Sequence, residues 1–304
     1  MRVRCAIRTS VAAVRLGRML AAMTLPWFGH MRHGATPFVH SDDHRDLARQ
    51  AVSHLLKWKV ISRSSDLAEH RRHTERSCGL LDIKETELGG KVYGKLQWDY
   101  SHMYDPLAGR GIADKTVVNS FEEYRDYWER ALLHYRIENH PKAFAFLGYC
   151  CHLLQDMAVP SHTFCIAHGL KTRTADNLEL ISTSRRFYLR EPAGGPFPGE
   201  EDAHLGLFVV LGLDSRGREP FDAEERNDIA DILERYYEVP KWRKDGWQGR
   251  YVGDFYYPYH RLLPSSPRIA LDDMVELRNY LMSRAAERTA QLLWHFCELT
   301  GAGR

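Results

Sequence analysis

One segment of the chain, residues 147–162, combines an apolar helical pattern with polar residues at the spacing of a metal site. His152 and Asp156 are four residues apart, so on a helix their side chains share one face, about 6 Å apart along the axis. Pro160 ends such a helix, because proline lacks an N–H group and disfavours helical geometry in the preceding residue. The chain can then return His162 to the same place. Imidazole and carboxylate donors without thiolates suit a hydrolytic zinc site, whereas an isolated His–Asp pair is equally consistent with packing and capping.

The segment resembles the core motif of the bacterial zinc-dependent phospholipases C and of their relatives, the fungal and plant zinc nucleases. A second segment, residues 101–106, reads Ser-His-Met-Tyr-Asp-Pro and is similar to the Ser-His-Phe-Tyr-Asp-Pro stretch of that family. The helical pattern of residues 127–148 leads into the first motif, as it does in the phospholipases. The resemblance covers residues 101–179 well. It implies an all-α fold, a single compact multi-helix domain of the zinc phospholipase C or zinc nuclease type, with two to three Zn²⁺ ions.

The resemblance also implies ligands outside the two motifs. The family's first helix opens with a zinc-binding histidine, which corresponds to His44, with His40 as its competitor. A carboxylate upstream of the second motif binds zinc in the family and is a proposed general base. Asp82 matches that residue type, and Glu85 and Glu87 are the alternatives.

A third part of the family pattern is incomplete in this chain. Glu179 matches a zinc-binding carboxylate by position, but Ala175 stands where the family has a histidine. Asp176 or His168 could substitute for that histidine. The complete predicted metal set is His44, Asp82, His102, His152, Asp156, His162 and Glu179.

These ligands imply a mechanism. Asp156, with two oxygens, is expected to bridge two zinc ions, and a water between them would lose its proton near neutral pH and attack phosphorus. Asp82 and Asp156 are the predicted catalytic residues. A third ion, held by His162 and Glu179, would neutralise the phosphate oxygens and the leaving alkoxide. We expect a phospholipase C that hydrolyses the glycerol-side phosphodiester bond of phospholipids.

Two alternatives remain at this stage: a zinc nuclease, and a non-catalytic helical zinc-binding protein with a decayed site. Residues 155–160 lack the Gln-Pro-Leu-His ending typical of the nucleases, which favours the lipase. The net charge of +2 gives no polybasic surface for nucleic acid. We therefore expect a monomer that acts on phospholipid at a membrane surface. Asp99, beside Trp98, occupies a position that is aromatic in the family's choline pocket, so the headgroup is not predicted.

The N-terminal residues 1–36 are expected to form a leader or signal segment, followed by the helical domain in residues 37–304. Several arginines precede an apolar run, residues 19–28, that is too short for a permanent transmembrane helix. Export to the periplasm or the medium is expected. Trp27 is the nearest candidate for the N-terminal tryptophan that binds zinc in the family.

The remaining pattern is helical, with two expected exceptions. Helices are predicted for residues 44–56, for a segment opened by a capping box at residues 120–123, for residues near 222–238, and after Asp273. Residues 192–200 and 242–267 are predicted to be long surface loops. The second loop is rich in aromatic residues, which either cover the core or contact a bilayer. Cys150 and Cys151 are adjacent, so they cannot both face one metal, and both are interpreted as helix packing.

Overall fold

The secondary structure is almost entirely helical. The computed structural model describes residues 39–79, 81, 101–112, 118–166, 202–218, 223–244, 246–252 and 271–304. Within these ranges the elements are α1 (Val39–Lys57), α2 (Asp66–Cys78), α3 (Ser120–Arg136), α4 (His140–Asp156), α5 (Pro160–Thr163), α6 (Ala203–Asp214), α7 (Ala223–Tyr236), β1 (Tyr237–Arg243), β2 (Gly246–Tyr251) and α8 (Leu271–Thr300). The predicted all-α, single-domain fold is confirmed, with one antiparallel β1–β2 hairpin added.

Helix α4 is the central element. Every residue from position 147 to position 156 is buried, as expected for a helix that is apolar on nearly all sides. It packs against α2 and α3, and also against α8 and α1. Cys150 and Cys151 are fully buried in this helix and are free thiols, in agreement with their predicted packing role.

A glycine permits the closest of these helix contacts. A Cβ atom at Gly148 would lie 2.5 Å from the carbonyl oxygen of Thr74 and 3.0 Å from the amide nitrogen of Cys78. Both atoms belong to the α2 backbone, which side-chain motion cannot displace. Residue 148 must therefore be glycine for α2 and α4 to approach so closely.

The ends of α3 and α4 follow local sequence signals. The capping box that opens α3 uses the Asn119 side chain and Glu122, so it lies one residue earlier than predicted. Helix α4 ends at Asp156, and Pro160 begins the short helix α5, where a missing N–H costs nothing. The predicted break at Pro160 is confirmed.

The predicted loop at residues 242–267 is wrong for its first part, because residues 246–251 form β2 and pair with β1. The hairpin depends on contacts distant in sequence: the Trp247 amide donates to the Ile112 carbonyl at 2.8 Å, and the Gly249 amide donates to the Phe164 carbonyl at 2.9 Å. Residues 253–270 and 192–200 lie outside the described residues. Helix α7 agrees with the helix predicted near residues 222–238, whereas α6 was not predicted.

The expected leader, residues 1–36, lies outside the described residues, as does Trp27. The boundary with the domain at residue 37 therefore stays a prediction. Among the helices that are described, none combines the length and the apolar character needed to cross a bilayer.

Candidate metal centre

Five of the predicted ligands come together in the interior. His44 lies on α1, His102 in the segment 101–112, His152 and Asp156 on α4, and His162 on α5. Their side chains range from fully buried for His152 to 12% exposed for His44. Asp82 and Glu179 lie outside the described residues, together with Glu85, Glu87, His168, Ala175 and Asp176. The side chain of His40 is also outside them.

Asp156 is the centre of this cluster. Its Oδ1 atom lies 3.4 Å from His44 Nε2 and 3.7 Å from His162 Nδ1. Its Oδ2 atom lies 2.6 Å from His102 Nδ1 and 3.4 Å from His152 Nε2. Each carboxylate oxygen thus faces two imidazoles within 3.7 Å.

The spacing of several donor atoms is compatible with a bound metal ion. Two ligands about 2.0–2.1 Å from a tetrahedral zinc ion are separated by about 3.3–3.4 Å. Asp156 lies 3.4 Å from both His44 and His152, and His152 Nε2 lies 3.4 Å from His102 Nδ1. His44, His152 and Asp156 each offer a donor within 4.8 Å of the others. The His102–Asp156 distance of 2.6 Å is instead a direct hydrogen bond. The residues present could hold a metal ion.

The electrostatics of the cluster favour an ionised carboxylate. Burial alone would raise the pKa of Asp156, but His152, His162 and His102 lower that pKa to about 2. A buried carboxylate charge is tolerated only when positive or hydrogen-bonding partners surround it. Asp156 therefore provides a fixed negative charge to which a divalent cation can bind.

The orientation of His152 is set by α2. Its Nδ1 atom lies 2.8 Å from the Cys78 carbonyl oxygen, which can only accept, so Nδ1 carries the proton. The lone pair of Nε2 then points toward Asp156. The close α2–α4 contact at Gly148 brings that carbonyl within reach.

His102 and His162 are linked through the backbone. The Tyr104 amide donates to the His162 carbonyl at 3.2 Å. Asp105 holds the same segment, because it accepts hydrogen bonds from the buried Arg216, two residues beyond the end of α6, at 3.2 Å and from the Trp247 indole on β2 at 3.0 Å. The second sequence motif therefore contains a structural anchor as well as a candidate ligand. The motif alone gives no signal for this anchoring role of Asp105.

Gln155 is a further residue that the sequence analysis missed. It is 1% exposed, and its Oε1 atom lies 2.8 Å from His44 Nδ1. The only sequence signal was its position next to Asp156. That signal is weak, because the helical neighbour of a ligand ordinarily points elsewhere.

Together, the fold and the cluster define a helical protein with a buried histidine–aspartate centre capable of holding a metal ion. No protein-family model matches the chain, and no curated protein matches it. Among solved structures, the chain is similar to the alpha toxin from Clostridium absonum, with a TM-score of 0.47 and 12% sequence identity. The match covers 86% of this chain and 66% of the toxin, so the chain spans just under two thirds of the toxin's length.

Proposed function

We propose that the chain is a zinc-dependent phosphodiesterase of the phospholipase C type, which hydrolyses the glycerol-side phosphodiester bond of phospholipids. The position of Asp156 carries this proposal, because each of its oxygens faces two imidazoles. His152 lies on the same helix as Asp156, and the other three histidines come from three other segments of the chain. The two sequence motifs that resemble the zinc phospholipases C supply His102, His152, Asp156 and His162 of this set.

In this proposal the residues of the chain bind the metal ions and bury them. Asp156 would contact both of two bound ions, His102 and His152 would hold one of them, and His44 would hold the other. Bound zinc would supply a Lewis acid and an activated water for attack on phosphorus. Burial of the donors excludes competing water and strengthens every charge interaction in the site. The outlying ligands Asp82 and Glu179, and a third ion, belong to the proposal with their stated alternatives.

The phospholipid substrate is proposed from exposed apolar residues on the segments that carry or contact the cluster. Leu107, Val239 and Trp242 are each more than half exposed. Leu107 lies in the segment that carries His102, and the β1–β2 hairpin bonds to that segment and to Phe164, two residues beyond His162. Exposed apolar groups next to a site are suited to a bilayer surface. Nucleic acid is not favoured at a net charge of +2, and export and a monomeric state complete the proposal.

Metal analysis followed by two substrate assays tests the proposal. Protein purified without chelators is expected to contain two to three zinc ions and to release phosphorylated headgroup from phosphatidylcholine or phosphatidylethanolamine, with Asp156→Asn as the inactive control. Less than one zinc per chain would contradict the metal site. Hydrolysis of single-stranded DNA alone would favour the nuclease, and zinc without hydrolysis of either substrate would favour a non-catalytic protein.

A further inference from the structure

Three buried side chains form a hydrogen-bonded chain from α8 to the cluster. The Thr289 hydroxyl donates to the Ala285 carbonyl at 2.7 Å, one helical turn earlier. The Gln155 amide group donates to Thr289 Oγ1 at 3.1 Å, and the other end of the same amide lies 2.8 Å from His44 Nδ1. Gln155 is 1% exposed and Thr289 is fully buried.

The direction of every hydrogen bond in this chain is determined by its first member. Because the Thr289 hydroxyl proton is directed at a carbonyl, Oγ1 can only accept from Gln155. The Gln155 amide must therefore turn its NH₂ group toward Thr289 and its oxygen toward His44. An amide oxygen cannot donate, so His44 Nδ1 carries the proton of the neutral ring. The Nε2 lone pair is left facing Asp156 Oδ1, 3.4 Å away.

We propose that Gln155 and Thr289 are positioning residues that hold His44 in the tautomer able to bind a cation through Nε2. The role of the ion rests on the proposed function, but the tautomer is a property of the metal-free protein. A histidine ligand is ordinarily oriented by a hydrogen bond from its second nitrogen, and loss of that bond typically weakens metal binding 10–100-fold. Here the orienting group is itself oriented by a residue on another helix.

The reverse arrangement shows why Thr289 matters. Without the Thr289 hydroxyl, the Gln155 NH₂ group would lose the acceptor that it has in this structure, and a buried NH₂ group is costly to leave unsatisfied. Rotation of the amide relieves that cost but presents NH₂ to His44 Nδ1. His44 would then accept on Nδ1 and carry its proton on Nε2, the atom that must bind the ion.

Zinc affinity of matched variants provides the first test. Thr289→Val has nearly the same shape but no hydroxyl, whereas Thr289→Ser keeps the hydroxyl and loses one methyl group. By competition with a chelator, Thr289→Val and Gln155→Met are expected to bind zinc about 10–100-fold more weakly than the wild type, and Thr289→Ser within about threefold of it. Urea unfolding of the metal-free proteins separates this effect from a purely structural one. Variants that lose stability but keep wild-type zinc affinity would overturn the proposal.

The His44 tautomer provides a second test, which needs no metal. In ¹⁵N NMR spectra of the metal-free wild type at about pH 8, above the ordinary pKa of a free imidazole, His44 is expected as the Nδ1–H tautomer. Thr289→Val should shift it toward Nε2–H, and Thr289→Ser should not. An Nε2–H tautomer in the wild type would refute the positioning role. The expected tautomer in a protein that binds no zinc would instead refute the proposed function and leave the positioning role standing.

Discussion

Substitution of Gly148 by alanine tests how tightly the α2–α4 contact is coupled to the cluster. The new Cβ would lie 2.5 Å from Thr74 O, 2.9 Å from Ser77 Cβ and 3.0 Å from Cys78 N. The backbone of α2 would have to retreat by roughly 1 Å to restore an ordinary contact. Overpacking of this kind costs about 3 kcal/mol, and the better helix propensity of alanine returns at most about 1 kcal/mol. We expect a net loss of about 2 kcal/mol in the free energy of unfolding.

The same movement should reach the metal site. The bond from His152 Nδ1 to the Cys78 carbonyl is 2.8 Å long, and a retreat of roughly 1 Å takes it beyond hydrogen-bonding distance. Zinc affinity should therefore fall about 10–100-fold as His152 loses its orienting partner. Urea unfolding of the metal-free protein and chelator competition measure the two effects separately.

Gly206→Ala is the matched control for this experiment. Gly206 lies within α6, and a Cβ there meets no other atom within 4 Å. Alanine at that position should stabilise the protein by about 0.5–1 kcal/mol through helix propensity and leave zinc binding unchanged. A Gly148→Ala protein as stable as the wild type would refute the packing argument. A destabilised protein with wild-type zinc affinity would refute the link from Cys78 to His152.

Three further predictions concern the site and its surface. Asp156→Asn should lose more zinc, by mass spectrometry, and more activity than His44→Ala or His152→Ala, because the carboxylate faces both pairs of imidazoles; equal losses would contradict a bridging role. Zinc loading should decline as the pH falls below about 6.5, since imidazoles bind metal only when neutral, and a titration that is flat down to about pH 5 would contradict histidine ligation. Trp242→Ala should weaken sedimentation with phospholipid vesicles without changing zinc content, whereas Leu133→Ala, a similarly exposed apolar residue on α3, should have no effect on either.

The sequence predicted those features that depend on neighbouring residues. The helical patterns for α1, α3, α4, α7 and α8 and the break at Pro160 arise from local periodicity and from proline geometry. The β1–β2 hairpin was missed because its anchoring partners, Ile112 and Phe164, are distant in the chain. Its strands also lack a clean alternation of buried and exposed residues.

For the candidate site, too, the sequence predicted residues in short motifs but not contacts between distant segments. The motif histidines and Asp156 could be named because their spacing is short and resembles that of a known family. Gln155 and Thr289 are 134 residues apart, so no local pattern connects them. Asp105 could not be assigned an anchoring role before Arg216 and Trp247 were seen to converge on it.

The contact at Gly148 makes one side of the cluster, α2 and α4, more rigid than the opposite side, the segment that carries His102. Helices α2 and α4 are in close contact at Gly148, and this packing opposes movement of His152 and Asp156 relative to Cys78. The His102–Asp156 separation of 2.6 Å must nevertheless lengthen by about 0.7 Å if both residues are to become ligands of one tetrahedral ion. The segment that carries His102 would have to move to provide this additional separation.

This segment is fastened through Asp105 to the Trp247 indole of β2. Entry of an ion would therefore move this segment away from α4. The β1–β2 hairpin, which carries the exposed Trp242, would move with the segment that carries His102. Metal binding in the interior would therefore be detectable at the surface, as a change in the environment of Trp242.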